Sequence, residues 1–177
     1  PLPGVAVRIC DPETGREVAT GEIGIIEVKG RNVFKGYWNM PEKTKEEFRA
    51  DGYFITGDLA EMDADGYVSI TGRLKEIINR GGEKVSPREV DEILMDHPAV
   101  QQVVCFGMPH PKLGEEVAAV VVLREGASAT ERELQDFVAE HAADYKVPKK
   151  ILFMEEIPKG ATGKLQRIGL AQKLGLG

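Results

Sequence analysis

The hydrophobic pattern of this 177-residue chain changes character near Leu74. Before that residue, short apolar runs such as Val5–Ile9 and Gly24–Val28 are separated by turn sequences, which is typical of antiparallel strands. The same region predicts a short helix over Pro41–Phe48 and a hairpin closed by the turn Asp63–Gly66. A self-contained small barrel is one interpretation, but so few strands would leave unpaired edges. We therefore expect that this region is not self-contained.

After Leu74, candidate strands alternate with candidate helices. Capping boxes, in which Ser or Thr is followed three residues later by Glu, occur at Ser86 and Thr130 and predict the starts of two helices. Apolar runs indicate three strands and then a last helix, over Val100–Phe106, Glu115–Leu123, Ile151–Met154 and Arg167–Leu174. This order predicts a small three-stranded sheet packed with helices. The fold class expected for the whole chain is α+β, with one region over residues 1–74 and another over residues 75–177.

Composition and charge disfavour several classes of protein. The chain is 42% hydrophobic and 29% charged, which is ordinary for a soluble globular protein. Its net charge of −6 argues against a general nucleic-acid partner, because affinity for a phosphate backbone needs an excess of Lys and Arg. No apolar run approaches the length that spans a bilayer. Cys10 and Cys105 lie far apart without metal or redox spacing, so we expect reduced thiols, no metal site and a cytoplasmic location.

Two polar stretches between candidate strands could bind a ligand, and each has an ordinary structural alternative. Asp58 follows Thr56 and Gly57, and a carboxylate in such a turn can accept hydrogen bonds from sugar hydroxyls or cap its own backbone. Gly81 and Gly82 stand in the phrase EIINRGGEKV. Paired glycines allow close approach of an extended ligand, but they also suit a simple hairpin turn.

The phrase PKGATGKL places Lys164 in a glycine-rich loop, which suggests phosphate binding. The spacing is not that of a P-loop, which has four residues between its glycines and a Ser or Thr after the lysine. Here only Ala161 and Thr162 separate the glycines, and Leu165 follows the lysine. If Lys164 meets a phosphate, it does so by another geometry, and a solvent-facing lysine is the structural alternative.

Five phrases in this order resemble the adenylate-forming acyl-CoA synthetase superfamily, and together they cover almost the whole chain. They occupy Asn32–Trp38, Tyr53–Arg73, Lys75–Leu94, Tyr145–Ile151 and Pro158–Arg167. The resemblance implies a reaction in two steps. A carboxylate first attacks the α-phosphate of ATP to give acyl-AMP and pyrophosphate, and a thiol, usually that of coenzyme A, then displaces AMP.

The resemblance also implies a role for each candidate residue. Asp58 and Arg73 would bind the ribose of the adenylate. Lys164 would be the catalytic residue that reaches the α-phosphate and the acyl carboxylate. Lys75 would be the hinge between a large N-terminal and a small C-terminal domain. The turn Gly81-Gly82-Glu83 would line the channel for the pantetheine arm of coenzyme A.

By the same resemblance, residues 1–74 would be the last subdomain of the N-terminal adenylation domain, a distorted β-barrel, and residues 75–177 the mobile C-terminal domain. The family's phosphate loop and acyl pocket are not in this sequence, so we interpret the chain as a C-terminal piece that is inactive alone. The whole enzyme would be an acyl-CoA ligase similar to fatty-acyl, oxalyl and aryl CoA ligases, with fatty acid metabolism as one expected role. Its partners would be a small-molecule carboxylic acid, ATP, coenzyme A and the missing N-terminal domain. Mg²⁺ would accompany ATP, with no ligand among these residues.

Two other functions remain open at the level of the sequence. The phrase INRGGEKV also occurs in aryl-acid adenylating enzymes that load the phosphopantetheine of a carrier protein. A noncatalytic module that kept the fold and lost the chemistry is the second alternative. Asn79 stands where some relatives have lysine, so a phosphate contact made there in those relatives is not expected here.

Overall fold

The computed structural model describes residues 1–160, 163 and 165–177, and these form two compact units, Pro1–Lys75 and Glu76–Gly177. Each unit contains its own sheet and at least one helix, which confirms the α+β class. Lys164 lies outside the described residues, together with Ala161 and Thr162.

The first unit is built on a four-stranded antiparallel sheet whose strands follow chain order. The strands are β1 (Val5–Cys10), β2 (Gly24–Gly30), β3 (Phe54–Met62) and β4 (Val68–Arg73). The predicted hairpin is confirmed as β3 and β4, and its turn is closed by a hydrogen bond from the Gly66 N–H to the Asp63 carbonyl (3.1 Å). Helix α1 (Pro41–Glu47) confirms the predicted short helix and buries none of its residues.

One face of this sheet is apolar, with Ile9, Ile26 and Ala60 at its centre. Phe54 stands opposite Val28 on this same face. Phe34 makes edge-to-face contacts with Phe54, Tyr37 and Phe48 at centroid distances of 5.0–5.3 Å. Such pairs stabilise beyond the area that they bury. The segment that connects β2 to β3 is thereby fixed against the sheet although its helix is exposed.

The second unit contains a five-stranded mixed sheet with the order β6-β5-β8-β7, in which β9 also pairs with β8. Its strands are β5 (Ile78–Arg80), β6 (Glu83–Val85), β7 (Val100–His110), β8 (Gly114–Leu123) and β9 (Lys150–Phe153). The three predicted strands correspond to β7, β8 and β9, and the hairpin β5–β6 adds two more. Only β9 runs parallel to its neighbour β8.

Three helices cover the second sheet: α2 (Pro87–Met95), α3 (Glu131–His141) and α4 (Leu170–Lys173). Val90 and Leu94 of α2 and Leu134 and Val138 of α3 pack on one face, whereas Leu170 of α4 packs on the other. Since β8 is covered on both faces, its residues 117–122 are all buried. This explains why β8 reads as a continuous apolar run rather than as an alternating one.

The two predicted capping boxes have different outcomes. At Thr130 the capping box is present, with the Glu133 carboxylate accepting from the Thr130 N–H (2.7 Å). Ser86 does occupy the N-cap of α2, but its side chain makes no capping hydrogen bond. Glu89, the expected partner, instead accepts a hydrogen bond from the Lys146 ammonium (2.5 Å). A tertiary ion pair therefore replaces the local motif at the start of α2.

The last helix is shorter than the predicted range Arg167–Leu174. It begins at Leu170, because Gly169 before it has a φ of 77°, a left-handed conformation that interrupts a helix. Arg167 consequently lies before the helix, in a segment without regular secondary structure, and its side chain takes part in an ion cluster described below.

Candidate active site

The side chains of Asp58 and Arg73 lie together at one end of the β3–β4 hairpin. The two residues are directly opposite each other in the antiparallel register, and Arg73 Nε donates to Asp58 Oδ1 at 2.6 Å. The arginine side chain is 61% exposed and the aspartate 27% exposed, so both are accessible to a ligand. A paired carboxylate and guanidinium together offer acceptors and donors to a polar ligand such as a sugar diol.

A register shift in the hairpin is what brings these two residues opposite each other. Ala60 pairs with Ile70, but Leu59 pairs with Gly72, so one extra residue, Thr71, is accommodated on β4. Without this bulge, Asp58 would be opposite Gly72 and not Arg73. Bulges re-aim side chains in this way and are frequent beside active sites.

Asp58 is also displaced from β2 by a second irregularity. Ile25 pairs with Leu59 and Glu27 with Ile55, so three residues of β3, Thr56 to Asp58, stand opposite one residue of β2. The Thr56 hydroxyl fixes this widened segment by donating to the Ile26 carbonyl (3.0 Å) and accepting from the Asp58 N–H (3.1 Å). Gly57 has a φ of 76°, which explains glycine at that position.

Gly81 and Gly82 form the turn between β5 and β6, as predicted from their phrase. Gly82 has a φ of 103°, a conformation that side chains of L-residues rarely adopt. The turn is held from two sides: the Gly81 N–H donates to the Leu113 carbonyl (2.8 Å) and the Gly82 N–H to Asn79 Oδ1 (3.2 Å). Glu83 is exposed and begins β6 directly after the turn.

Asn79 stabilises this turn through two hydrogen bonds. Besides accepting from Gly82, it donates its backbone N–H to Glu115 Oε2 (2.8 Å), which joins the turn to β8. A rigid turn with exposed backbone gives an extended ligand a fixed edge to lie along.

Lys75 is exposed in a single turn of 3-10 helix, Leu74–Glu76, that links the two units. The division between the units falls directly after Lys75. Asp58 and Arg73 belong to the first unit, and the glycine turn belongs to the second.

Two backbone contacts define the base of the loop that carries Lys164. Lys159 and Leu165 form an isolated antiparallel bridge, and the Gly163 N–H donates to the Gly160 carbonyl (2.9 Å). The prediction for Lys164 itself falls outside the described residues.

Sequence reasoning missed an ion cluster in the second unit. The guanidinium of Arg167 contacts Glu76 Oε2 (3.0 Å) and Asp91 Oδ2 (2.7 Å) and donates to the Cys105 carbonyl (2.9 Å). Arg167 ends the last of the five phrases, but nothing local indicates a partner 91 positions earlier in the chain.

An open groove with a volume of about 860 Å³ lies in the first unit, and none of the predicted site residues lines it. Its walls combine the basic side chains of Lys29, Arg31 and Lys35 with the rings of Phe34 and Phe48. This groove and the Asp58–Arg73 pair are therefore separate features of this unit.

Among the described residues, no group of three or more His, Cys, Asp or Glu side chains is placed to hold a metal ion. None of the helices in this part of the chain is long and apolar enough to cross a membrane.

Comparisons with known proteins identify relatives of this chain. The model of the AMP-binding enzyme family matches residues 1–38, and that of the AMP-binding enzyme C-terminal domain matches residues 89–164. The chain is 42% identical over 170 residues to an oxalate–CoA ligase of Saccharomyces cerevisiae, covering 96% of this chain and 31% of that protein. It is 45% identical over 173 residues to a long-chain-fatty-acid–CoA ligase of Bacillus subtilis, covering 98% and 31%, respectively.

Solved structures show the same relationship. ATP-bound MatB from Rhodopseudomonas palustris has a TM-score of 0.91 at 47% identity and is matched over 97% of this chain and 34% of its own. O-succinylbenzoate CoA synthetase from Bacillus subtilis, in complex with its acyl-adenylate intermediate, has a TM-score of 0.87 at 34% identity, with 96% and 34% covered. The chain thus spans about a third of the length of the relatives that it matches. It belongs to the AMP-binding enzyme family and contains the C-terminal domain of that family.

Proposed function

We propose that this chain is the C-terminal portion of an AMP-forming acid–thiol ligase, which activates a small-molecule carboxylic acid with ATP and transfers the acyl group to coenzyme A. The observation that carries the proposal is the 2.6 Å contact between Asp58 and Arg73, in a chain of this family, close to the boundary between two units. The relatives named as CoA ligases support coenzyme A as the thiol. Residues 1–74 would then end the adenylation domain, and residues 75–177 would be the mobile C-terminal domain in a cytoplasmic enzyme.

In this proposal, Asp58 and Arg73 bind the ribose of ATP and of acyl-AMP. A carboxylate accepts hydrogen bonds from both hydroxyls of a diol, and a guanidinium donates to a hydroxyl oxygen. Their mutual contact restricts the orientation of both side chains before the ligand arrives, which lowers the entropy lost on binding.

Lys164 would act in the first step only. A carboxylate that attacks a phosphate brings two anions together, and a positioned ammonium compensates the charge that develops between them. In the second step, the turn Gly81-Gly82-Glu83 would guide the pantetheine arm. By rotating about Lys75, the C-terminal unit would bring Lys164 to the active site in the first step and the glycine turn in the second, as lids and hinged domains move in other enzymes.

Mg²⁺ would arrive with the phosphates of ATP. The described residues offer no acidic cluster to hold it. We therefore assign no Mg²⁺ ligand and no Mg²⁺-dependent step to these residues.

An assay of each half-reaction tests the proposed function. The enzyme that contains this chain should exchange pyrophosphate into ATP only when a suitable carboxylic acid is present, and it should then form an acyl-CoA. A holo carrier protein offered in place of coenzyme A separates the carrier-loading alternative. Absence of exchange with a broad panel of acids would favour a noncatalytic module. The 177-residue chain alone should form no acyl-AMP, because the phosphate loop and acyl pocket are not part of it.

Asp58→Asn should weaken the use of ATP without unfolding the chain. Loss of a charged acceptor costs about 1.5–3 kcal/mol, so kcat/KM for ATP should fall about 10- to 150-fold. Both half-reactions should slow, because the adenylate ribose is present in both. The matched control is Asp65→Asn in the exposed turn of the same hairpin, which should leave the kinetics unchanged. Equal kinetics for Asp58→Asn and the wild type would remove Asp58 from the site.

A further inference from the structure

The ion cluster of Arg167 connects three separate parts of the second unit. Glu76 is the first residue of that unit, Asp91 belongs to α2, and the Cys105 carbonyl belongs to β7. Arg167 itself lies two residues beyond the bridge between Lys159 and Leu165 that closes the loop base. The Arg167 guanidinium therefore links the first residue of this unit, the base of the Lys164 loop and the sheet.

The cluster is shielded from solvent and arranged with specific geometry. The side chains of Arg167, Glu76 and Asp91 are 19%, 26% and 13% exposed. Asp91 also accepts a hydrogen bond from the Cys105 N–H (2.6 Å), so α2 and β7 fix the carboxylate that faces the arginine. Planar guanidinium groups with several fixed acceptors hold direction as well as distance, which a lysine cannot do.

The two carboxylates compensate the burial of the arginine. Burial by itself lowers the pKa of the Arg167 guanidinium, but the carboxylates of Asp91 and Glu76 outweigh it and hold that pKa above its usual value. The arginine is therefore charged at every pH at which the protein is folded.

We propose that Arg167 is a positioning residue that fixes Glu76 and the chain following the Lys164 loop to one point of the C-terminal unit, so that rotation is confined to the backbone at Lys75. This inference rests on the proposed two-step function. Without the contact, the residues after Lys75 could also move, and the rotation would be spread over several bonds. Each half-reaction would then find its productive orientation less often, and misplacement by about 1 Å can cost two orders of magnitude in rate.

Glu76→Gln tests the proposal with little damage to the fold. It removes the charged contact at the hinge while Asp91 keeps its bond to Arg167. We expect turnover per titrated active site to fall about 5- to 20-fold in both half-reactions. The melting temperature should stay within about 4 °C of the wild type. The matched control is Glu92→Gln, which removes an exposed carboxylate paired with Arg88 on α2 and should change neither quantity.

Hydrogen exchange provides a readout that does not depend on catalysis. Peptides covering residues 76–80 and 165–168 should exchange at least about fivefold faster in Glu76→Gln, while peptides from α3 should be unchanged. In the double variant Glu76→Gln with Arg167→Lys, turnover should be no lower than in Arg167→Lys alone, since both changes break the same contact.

The outcomes separate this proposal from the proposed function. Unchanged exchange at residues 76–80, or turnover of Glu76→Gln equal to that of Glu92→Gln, overturns the role of Arg167 even in an active ligase. A wild-type enzyme without acid-dependent pyrophosphate exchange instead rejects the proposed function and, with it, the catalytic consequence of the cluster. A lower melting temperature with normal turnover per active site also overturns the positioning role, because it shows a purely structural contact.

Discussion

Replacing Lys164 with alanine is expected to slow acyl-adenylate formation by about 10²–10³-fold, which corresponds to about 3–4 kcal/mol of transition-state stabilisation. The reason is electrostatic, because the lysine ammonium would compensate the negative charges of the attacking carboxylate and the α-phosphate as they approach. A lysine suits this task as a compact charge on a flexible stem. Pyrophosphate exchange and single-turnover formation of acyl-AMP measure the effect directly.

The second half-reaction distinguishes this role from a general loss of structure. Thioester formation from supplied acyl-AMP should change by less than about threefold in Lys164→Ala, because the proposed lysine contact belongs to the first transition state only. Lys159→Ala is the matched control, since Lys159 is a half-exposed lysine at the base of the same loop and pairs with Glu156 at 2.8 Å. Equal losses in both half-reactions would show that Lys164 does not have the proposed step-specific role.

Features of the fold that depend on neighbouring residues could be predicted from the sequence. The capping box at Thr130 formed because its two side chains are three residues apart and face the same helix turn. The turn Asp63–Gly66 formed for a similar reason, with the Asp63 carboxylate accepting from the Asp65 and Tyr67 N–H groups. In both cases the partners lie within one turn of chain, so the rest of the fold has little influence.

Local sequence patterns gave wrong predictions where a residue distant in sequence binds the same side chain. Ser86 and Glu89 have the same spacing as Thr130 and Glu133, but Lys146, 57 residues away, takes the Glu89 carboxylate. Arg167 was placed in a helix, whereas its partners Glu76 and Asp91 come from the start of the unit. Contacts over such separations follow from the packing of helices on the sheet, which no local pattern contains.

The contact between Asp58 and Arg73 also could not be predicted from local sequence patterns. Regular antiparallel pairing of β3 with β4 would place Asp58 opposite Gly72, and the bulge at Thr71 brings Arg73 opposite Asp58 instead. The family resemblance identified both residues without predicting that they contact each other. The ribose roles of Asp58 and Arg73, the hinge role of Lys75 and the channel role of the glycine turn remain predictions that the proposed assays test.

Glu27 is a charged residue within an apolar run of the first unit. It lies on β2 between apolar residues and its side chain is fully buried. Arg8 donates to its Oε2 (2.7 and 2.9 Å) and Arg49 to its Oε1 (2.8 Å), so both carboxylate oxygens are satisfied. Arg8 also stacks 3.9 Å from the centre of the Tyr53 ring. A buried carboxylate is tolerated only while its cations remain in place.

Replacing both Arg8 and Arg49 with methionine should therefore lower the free energy of unfolding of the first unit by about 3–5 kcal/mol, because a buried charge is left uncompensated. Adding Glu27→Met to that variant should recover at least about half of the loss, since a buried ion cluster replaced by apolar residues of similar volume is often neutral. Urea titration followed by hydrogen exchange of β1–β3 peptides reports this unit separately, and Arg16→Met in the exposed turn after β1 is the control. If the triple variant were less stable than the double variant, Glu27 would stabilise the sheet by packing and not through its charge.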